Sequence, residues 1–167
     1  ALLIHRGGNW LYANSEAIKL LGFSRGELLS MHFTEIVHPD FRDLVLGRAK
    51  SRKKGRGPKN EYEIKAVTKK GRERWVSMRV EKIIYEDQPS LMVSAIDITE
   101  RKEDEEKIEK ANRFNREIID KAPFGIYTVN SKGDVDYVNR EMLKIAGAPK
   151  KKFMELNVLK LSGYKKI

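Results

Sequence analysis

The chain has no cysteine among its 167 residues. A disulfide, a thiolate metal site and a cysteine nucleophile are therefore excluded. Long apolar runs are also missing, so no membrane span and no secretory signal is predicted within the chain. Together these absences lead us to expect a cytoplasmic module without membrane contact of its own.

Positive charge is abundant, with 34 lysines and arginines against 24 acidic residues. Much of the excess lies in one basic stretch, composed of Arg48, Lys50, Arg52, Lys53, Lys54, Arg56 and Lys59. Basic clusters can bind nucleic acid, but this one contains no aromatic residue to stack on a base, and Gly55 and Gly57 interrupt it. We expect a solvated loop between a helix and a strand, and nucleic acid is the less favoured partner.

The sequence also repeats itself. Residues 8–22 align without gaps on residues 133–147, with Gly, Tyr, Asn, Glu, Lys and Gly recurring at an offset of 125. A repeat of this length differs from the short period of a solenoid. It predicts two copies of one domain with a connector between them, and the chain ends before the second copy is complete.

Local patterns indicate the order of secondary structure. Residues 1–13 predict a hairpin, and Asn14, Ser24 and Thr99 are suited to begin helices, as is Pro39 in a first turn. After residue 60 the apolar period changes to two, which predicts three strands joined by short turns. Two strands, several short helices and then an antiparallel meander indicate the α+β class.

Residues 100–122 predict a long, charge-dense helix with few apolar positions. Those positions share one heptad seam, formed by Ile108, Ala111, Asn115, Ile118 and Ala122. A lone solvated helix of this kind is marginal, so we expect it to dock on something. A homodimeric parallel coiled coil is the preferred partner, and packing onto its own sheet is the alternative.

Six motifs in order carry a family resemblance. They are Tyr12-Ala13-Asn14, Leu21-Gly22-Phe23-Ser24, Glu27-Leu28, His38-Pro39-Asp40, Gly71 followed by Arg74-Trp75-Val76, and Asp97-Ile98-Thr99-Glu100-Arg101-Lys102. Together they resemble a PAS sensor domain. On this basis we expect a PAS domain over 1–99, a linker helix over 100–122 and the N-terminal half of a second PAS domain over 123–167. Such a half cannot bury enough surface to fold alone, so it is expected to pack on the linker helix or on a second chain.

The resemblance implies a five-stranded antiparallel sheet cupped by short helices, with a pocket between them. It also implies a sensory module placed upstream of an output domain, most often a histidine kinase of a two-component phosphorelay. The chain holds no such output domain and no catalytic constellation, so we expect a non-enzymatic signal-transduction module. We expect it to form a homodimer through the linker helix, the PAS sheet or both. The alternative is a basic regulatory domain of a transcription factor that contacts nucleic acid.

Cofactors are constrained by the same resemblance. Covalent flavin and thioester-linked chromophores need a cysteine in this family, so both are excluded. Haem would need an axial histidine, and His38 lies near the correct helix, but at the helix start it should point toward the loop. No metal site is predicted, because no histidine and carboxylate cluster has ligand spacing.

If the pocket is open, we expect its lining to come from the inner sheet face and the facing helices. The candidates are Phe33, Ile36, Val37, Phe41, Val45, Tyr62, Ile64, Trp75, Ser77, Val93 and Ala95, with Leu21 beside them. Such residues fill a core by default, so a closed core is the favoured interpretation and an open pocket is the alternative. Tyr62 and Ser77 are the polar members, which suggests a small and mostly apolar ligand.

Asp97 and Thr99 are the candidates for signal transmission. Thr99 would cap the linker helix, and Asp97 would pair with Arg74 or Arg79, so that strand position is coupled to helix position. The alternative is an ordinary helix cap and a surface ion pair of under about 1 kcal/mol. His5, at the end of a strand, is expected to be exposed.

Overall fold

A computed structural model gives the fold of the protein and describes residues 1–53 and 60–161. The chain divides into two compact units, Ala1–Asp104 and Glu105–Ile167. The boundary lies inside one long helix, a short distance beyond residue 99, where the sequence predicts that the first domain ends.

The first unit opens with a hairpin of β1 (Leu2–Arg6) and β2 (Asn9–Ala13). Its helical part follows as α1 (Ser15–Leu21), α2 (Arg25–Ser30), the 3-10 helix η1 (Phe33–Ile36) and α3 (Pro39–Lys53). The predicted meander then forms as β3 (Glu61–Val67), β4 (Glu73–Tyr85) and β5 (Gln88–Asp97).

These strands make one antiparallel sheet in the order β2-β1-β5-β4-β3. Its inward side chains join those of the helices in a single hydrophobic core, in which Leu28 of α2 is fully buried. Because a sheet face and a helix stripe each need apolar cover, the helices enclose one face of the sheet. The predicted α+β fold with a five-stranded antiparallel sheet is confirmed.

Local capping explains where the first helices begin and end. The side-chain oxygen of Asn14 accepts hydrogen bonds from the amides of Ala17 and Leu2, both at 2.9 Å, and so joins α1 to β1. Gly22 closes α1 in the left-handed conformation. Ser24 and Glu27 form the predicted capping box of α2. These are the residue types that satisfy unpaired backbone groups at helix ends.

The basic stretch differs from the loop expected from its sequence. Helix α3 continues to Lys53, and Arg48 lies over the ring of Tyr62, with its guanidinium carbon 4.1 Å from the centroid. Arg52 is buried, with 6% of its surface exposed. The expectation that the whole stretch is solvated is therefore wrong for Arg52, because its position in α3 turns the side chain toward the sheet. The remainder of the predicted loop, 54–59, lies outside the described residues.

The second unit contains the later part of α4 (Thr99–Lys121) followed by shorter elements. They are β6 (Tyr127–Val129), β7 (Val135–Val138), α5 (Arg140–Ala146), α6 (Lys150–Met154) and η2 (Val158–Lys160). Strands β6 and β7 form a two-stranded sheet, and Val135, Val138 and Phe153 make a small core.

The sequence repeat is also a structural repeat. Asn139 caps α5 as Asn14 caps α1, and its amide group is bonded to the carbonyl of Ile119 in α4. The Asn139 side chain thus attaches the start of α5 to the last turn of α4 within the second unit. The expected packing of a half-domain on the linker helix or on a second chain stays a prediction. The equivalence extends past the aligned segment, since His32 caps η1 while Asn157, at the same offset of 125, caps η2.

Helix α4 carries its apolar side chains on the surface. No residue described in it is buried, and Ile108, Phe114 and Ile118 are each more than half exposed. Among the described residues, no helix combines the length and the apolar character that crossing a membrane requires.

Candidate functional site

A cavity lies inside the first unit, between the inner face of the sheet and the helices. Its volume is about 60 Å³, and strands β1 to β5 contribute to its wall together with α1, η1 and α3. A larger groove of about 530 Å³ adjoins it and shares five lining residues with it: His5, Phe33, Ala49, Arg52 and Leu91. The internal cavity has room for one or a few waters or for the apolar end of a ligand.

Eight of the eleven pocket candidates line this cavity. They are Phe33, Ile36, Val37, Val45, Tyr62, Ile64, Val93 and Ala95, and Leu21 joins them. Trp75 and Ser77 do not, because Val76, Met78 and Val80 of the same strand face inward. Side chains alternate along a strand, so a one-residue error in the inward set exchanges one face for the other.

Phe41 is the third candidate outside the cavity wall. It packs edge-on against Trp75, with ring centroids 5.6 Å apart. The Trp75 ring also receives Lys65 and Lys102, each with its ammonium nitrogen 5.5 Å from the centroid. These contacts place Trp75 next to the start of α4.

His5 is buried, with 8% of its surface exposed, and not at the surface as its sequence position suggested. It alternates with Leu3 on the inward face of β1, and that strand has β2 on one side and β5 on the other. Burial, with smaller effects from His32 and Arg52, lowers the pKa of His5 to about 4. The imidazole is therefore neutral at pH 7. Because His5 lies two residues after Leu3, the two share one face of β1, and this spacing could have predicted that His5 is buried.

The other two histidines have structural partners. His38 places Nε2 3.2 Å from Glu73 Oε1, and it does not line the cavity. His32 holds the start of η1, with its Nδ1 2.8 Å from the Thr34 hydroxyl. Within residues 1–53 and 60–161, no group of three or more metal-ligating side chains could hold an ion.

Asp97 and Thr99 meet where β5 passes into α4. The Thr99 hydroxyl donates to Asp97 Oδ1 at 2.5 Å and accepts from the Trp75 amide of β4 at 3.0 Å. The Thr99 amide donates to the same carboxylate oxygen at 2.9 Å. Helix α4 begins at Thr99 itself, whereas the sequence predicts Thr99 as the capping residue before the helix. The Thr99 hydroxyl therefore joins the first residue of α4 to β4. Asp97 lies 3.8 Å from Arg74 Nη1, while Arg79 pairs with Glu81.

Glu63 of β3 makes a second attachment of α4 to the sheet. Its carboxylate lies 2.7 Å from Lys102 Nζ and 2.6 Å from Arg101 Nη2. Hydrogen bonds from Lys102 and then Arg101 hold the pKa of Glu63 below its ordinary value of 4.5. Both ion pairs are exposed, so they add little to the stability of the fold and serve mainly to position α4 on the sheet. Glu63 could not be predicted from the sequence, because only the fold brings β3 next to the first turn of α4.

Comparison with known proteins identifies the family to which this fold belongs. The family model of the PAS fold matches residues 1–98. The chain belongs to the PAS family. No protein of curated function matches it.

Three solved structures illustrate the similarity. A PAS domain of a Desulfitobacterium hafniense protein is 27% identical, with 57% of this chain and 90% of that chain covered and a TM-score of 0.49. A sensory box histidine kinase/response regulator from Burkholderia thailandensis is 24% identical, with coverage of 70% and 89% and a TM-score of 0.52. A PAS domain from a two-component sensor histidine kinase is 19% identical, with coverage of 57% and 82% and a TM-score of 0.47. The Burkholderia structure supports the fold.

Proposed function

We propose that the chain is a non-enzymatic sensory module in which a small ligand or partner of the first unit alters the attachment of α4 to the sheet. The signal passes through the Asp97 and Thr99 junction into α4 and on to a downstream output domain. A ligand can shift such an equilibrium only as far as it binds the two arrangements with different affinity. Membership of a sensory family supports the general role.

The transmission step is supported by one observation: the Thr99 hydroxyl forms hydrogen bonds to two strands at once. It is bonded to β5 through Asp97 and to β4 through the Trp75 amide, while it belongs to the first residue of α4. A shift between β4 and β5 must therefore strain or break one of these bonds. On this proposal, a change in the strand positions is passed to the start of the helix.

The output class and the assembly are finer parts of the proposal. We propose a histidine kinase as the output, supported by the name of the Burkholderia thailandensis protein. We also propose a cytoplasmic homodimer that forms through α4, supported by the exposed Ile108, Phe114 and Ile118. Sedimentation equilibrium tests this assembly, and a monomer at all concentrations would contradict it.

The repeat supports a further part of the proposal, that residues 123–167 are the front half of a second PAS unit. Gly133 accepts the Val158 amide at 2.8 Å, as Gly8 accepts the Phe33 amide at the same distance. Gly133 and Val158 each lie 125 residues after their counterparts, Gly8 and Phe33.

Replacing Thr99 with valine, or Asp97 with alanine, should loosen α4 without unfolding the first unit. Loss of a hydrogen bond worth about 1 kcal/mol should speed exchange of the Trp75 amide roughly fivefold to tenfold. If the Thr99 junction couples the strands to the start of α4, the Ile98 and Lys102 amides should also exchange faster. Thr99→Val leaves the acceptors of both amides in place, so this effect would report coupling and not the loss of a bond. Hydrogen exchange followed by NMR measures each site.

Thr128→Val is the matched control, because it removes an exposed hydroxyl in the second unit, where Thr128 donates to Asp136. It should leave Trp75, Ile98 and Lys102 unchanged. Far-UV circular dichroism establishes that all variants remain folded. If Trp75 alone responds to Thr99→Val, the junction is an isolated hydrogen bond and the transmission role is refuted.

A further inference from the structure

Arg52 is a buried cation that lacks a counter-charge. Its Nε and Nη2 atoms are buried without a hydrogen-bond partner, and no carboxylate in the described part of the chain forms an ion pair with it. A guanidinium stays protonated in proteins, so burial does not neutralise it. A charge that is buried and unpaired is strongly unfavourable, and an incoming anion would compensate it.

Three other side chains at the cavity have the same deficiency. His5 Nδ1, Trp10 Nε1 and the Tyr62 hydroxyl are all buried without a partner. Together with Arg52 they come from β1, β2, β3 and α3, yet all four line the one cavity. The Arg52 guanidinium carbon is 5.8 Å from the Tyr62 ring centroid, and the His5 and Trp10 rings are 5.4 Å apart. A buried polar group without a partner is unfavourable, so the convergence of these groups on one space favours a ligand that offers them hydrogen-bond partners.

The remaining wall of the cavity is largely apolar. The wall continues through His5 and Arg52 into the outer groove, where Lys50 and Lys82 add positive charge. A ligand with an apolar body and one acidic group fits this arrangement. A water molecule could occupy the internal space but would leave the charge of Arg52 uncompensated.

The charge of the site favours a monoanion. His5 is neutral at pH 7, because burial lowers its pKa to about 4, so Arg52 is the single buried cation of the four side chains. A carboxylate carries one negative charge and matches the planar guanidinium in a bidentate manner. Inside the cavity, away from the lysines of the outer groove, a phosphate ester with up to two charges would bring more charge than the Arg52 guanidinium balances.

We propose that Arg52, with His5 and Tyr62, binds the carboxylate of a small organic acid whose apolar part occupies the cavity. This assignment rests on the proposed sensory function and adds a ligand class to it. Octanoate is a suitable probe, and 1-octanol supplies the same chain without the charge.

Isothermal titration of the full chain at pH 7 tests the proposal. Octanoate should bind the wild type, and Arg52→Gln should weaken its affinity about tenfold or more, as expected for a charged hydrogen bond. Affinity for 1-octanol should change less than twofold, a ratio worth about 0.4 kcal/mol. Arg79→Gln is the matched control, since it removes the same charge from an exposed side chain outside the cavity wall, and it should bind octanoate like the wild type.

A second variant, Arg52→Lys, separates loss of the carboxylate contact from misfolding. Arg52→Lys keeps the charge but loses the planar fork, so its affinity should fall between those of the wild type and Arg52→Gln. Equal octanoate affinity in the wild type and Arg52→Gln, or no octanoate binding to the wild type, would overturn the carboxylate assignment. Neither result touches the transmission proposal, because the exchange experiment on Thr99→Val and Asp97→Ala uses no ligand.

Discussion

Asn139→Ala should destabilise the second unit by about 3 kcal/mol or more, since several buried groups lose their partner at once. The Asn139 side chain is fully buried and forms four hydrogen bonds. Its oxygen accepts from the amides of Ile126 and Met142, both at 2.9 Å. Its amide nitrogen donates to the carbonyls of Ile119 and Phe124, at 3.0 and 2.9 Å. One side chain thus joins α4, the approach to β6 and the start of α5.

Hydrogen exchange measures this loss directly. Exchange of the amides of the second unit should accelerate by about two orders of magnitude, as a 3 kcal/mol change implies. Both tryptophans, Trp10 and Trp75, lie in the first unit, so their fluorescence should stay unchanged. Asn112→Ala, at an exposed position of α4, is the control and should alter stability by less than about 0.5 kcal/mol. An Asn139→Ala variant as stable as this control would contradict the account.

Gly8→Ala should destabilise the first unit by about 3 kcal/mol, from backbone strain together with overpacking. Gly8 has a φ of +114°, a conformation that L side chains rarely adopt. A Cβ atom there would lie 2.0 Å from His32 Nε2. The imidazole cannot move aside freely, because it holds the start of η1 through Thr34 and stacks on Phe33 at 4.6 Å.

Urea unfolding followed by tryptophan fluorescence gives the free energy of unfolding for this comparison. Gly26→Ala is the matched control: it lies within α2, meets no atom within 4 Å and should be neutral or stabilising by up to about 1 kcal/mol. Adding His32→Ala to Gly8→Ala should recover the steric part of the loss. If the double variant shows no such recovery, the contact with His32 is not the cause.

The order of elements could be predicted from sequence because short-range physics determines it. Asn14, Ser24 with Glu27, and Pro39 act within one turn of their own helices, and each is where its residue type predicts. The repeat likewise predicted a second hairpin and a capped helix, since the same local bonds recur around Asn139.

The site was harder to predict because it depends on strand faces and on contacts distant in sequence. Trp75 and Ser77 were assigned to the inner face of β4, although Val76 and Met78 occupy it. A strand with apolar residues on both faces leaves that choice open until its neighbours are known. The burial of Arg52 could not be predicted for another reason. A charged run is usually solvated, and only the packing of α3 against the sheet shows that this guanidinium is buried.

The measurement that tests the central claim most directly is hydrogen exchange at Ile98 and Lys102 with and without saturating octanoate. We expect octanoate to change exchange at both amides in the wild type. In Thr99→Val the ligand should still bind, because Thr99 does not line the cavity, but this change should be lost. Binding of octanoate that leaves Ile98 and Lys102 unaffected in the wild type, or that affects both proteins equally, would contradict coupling through the junction.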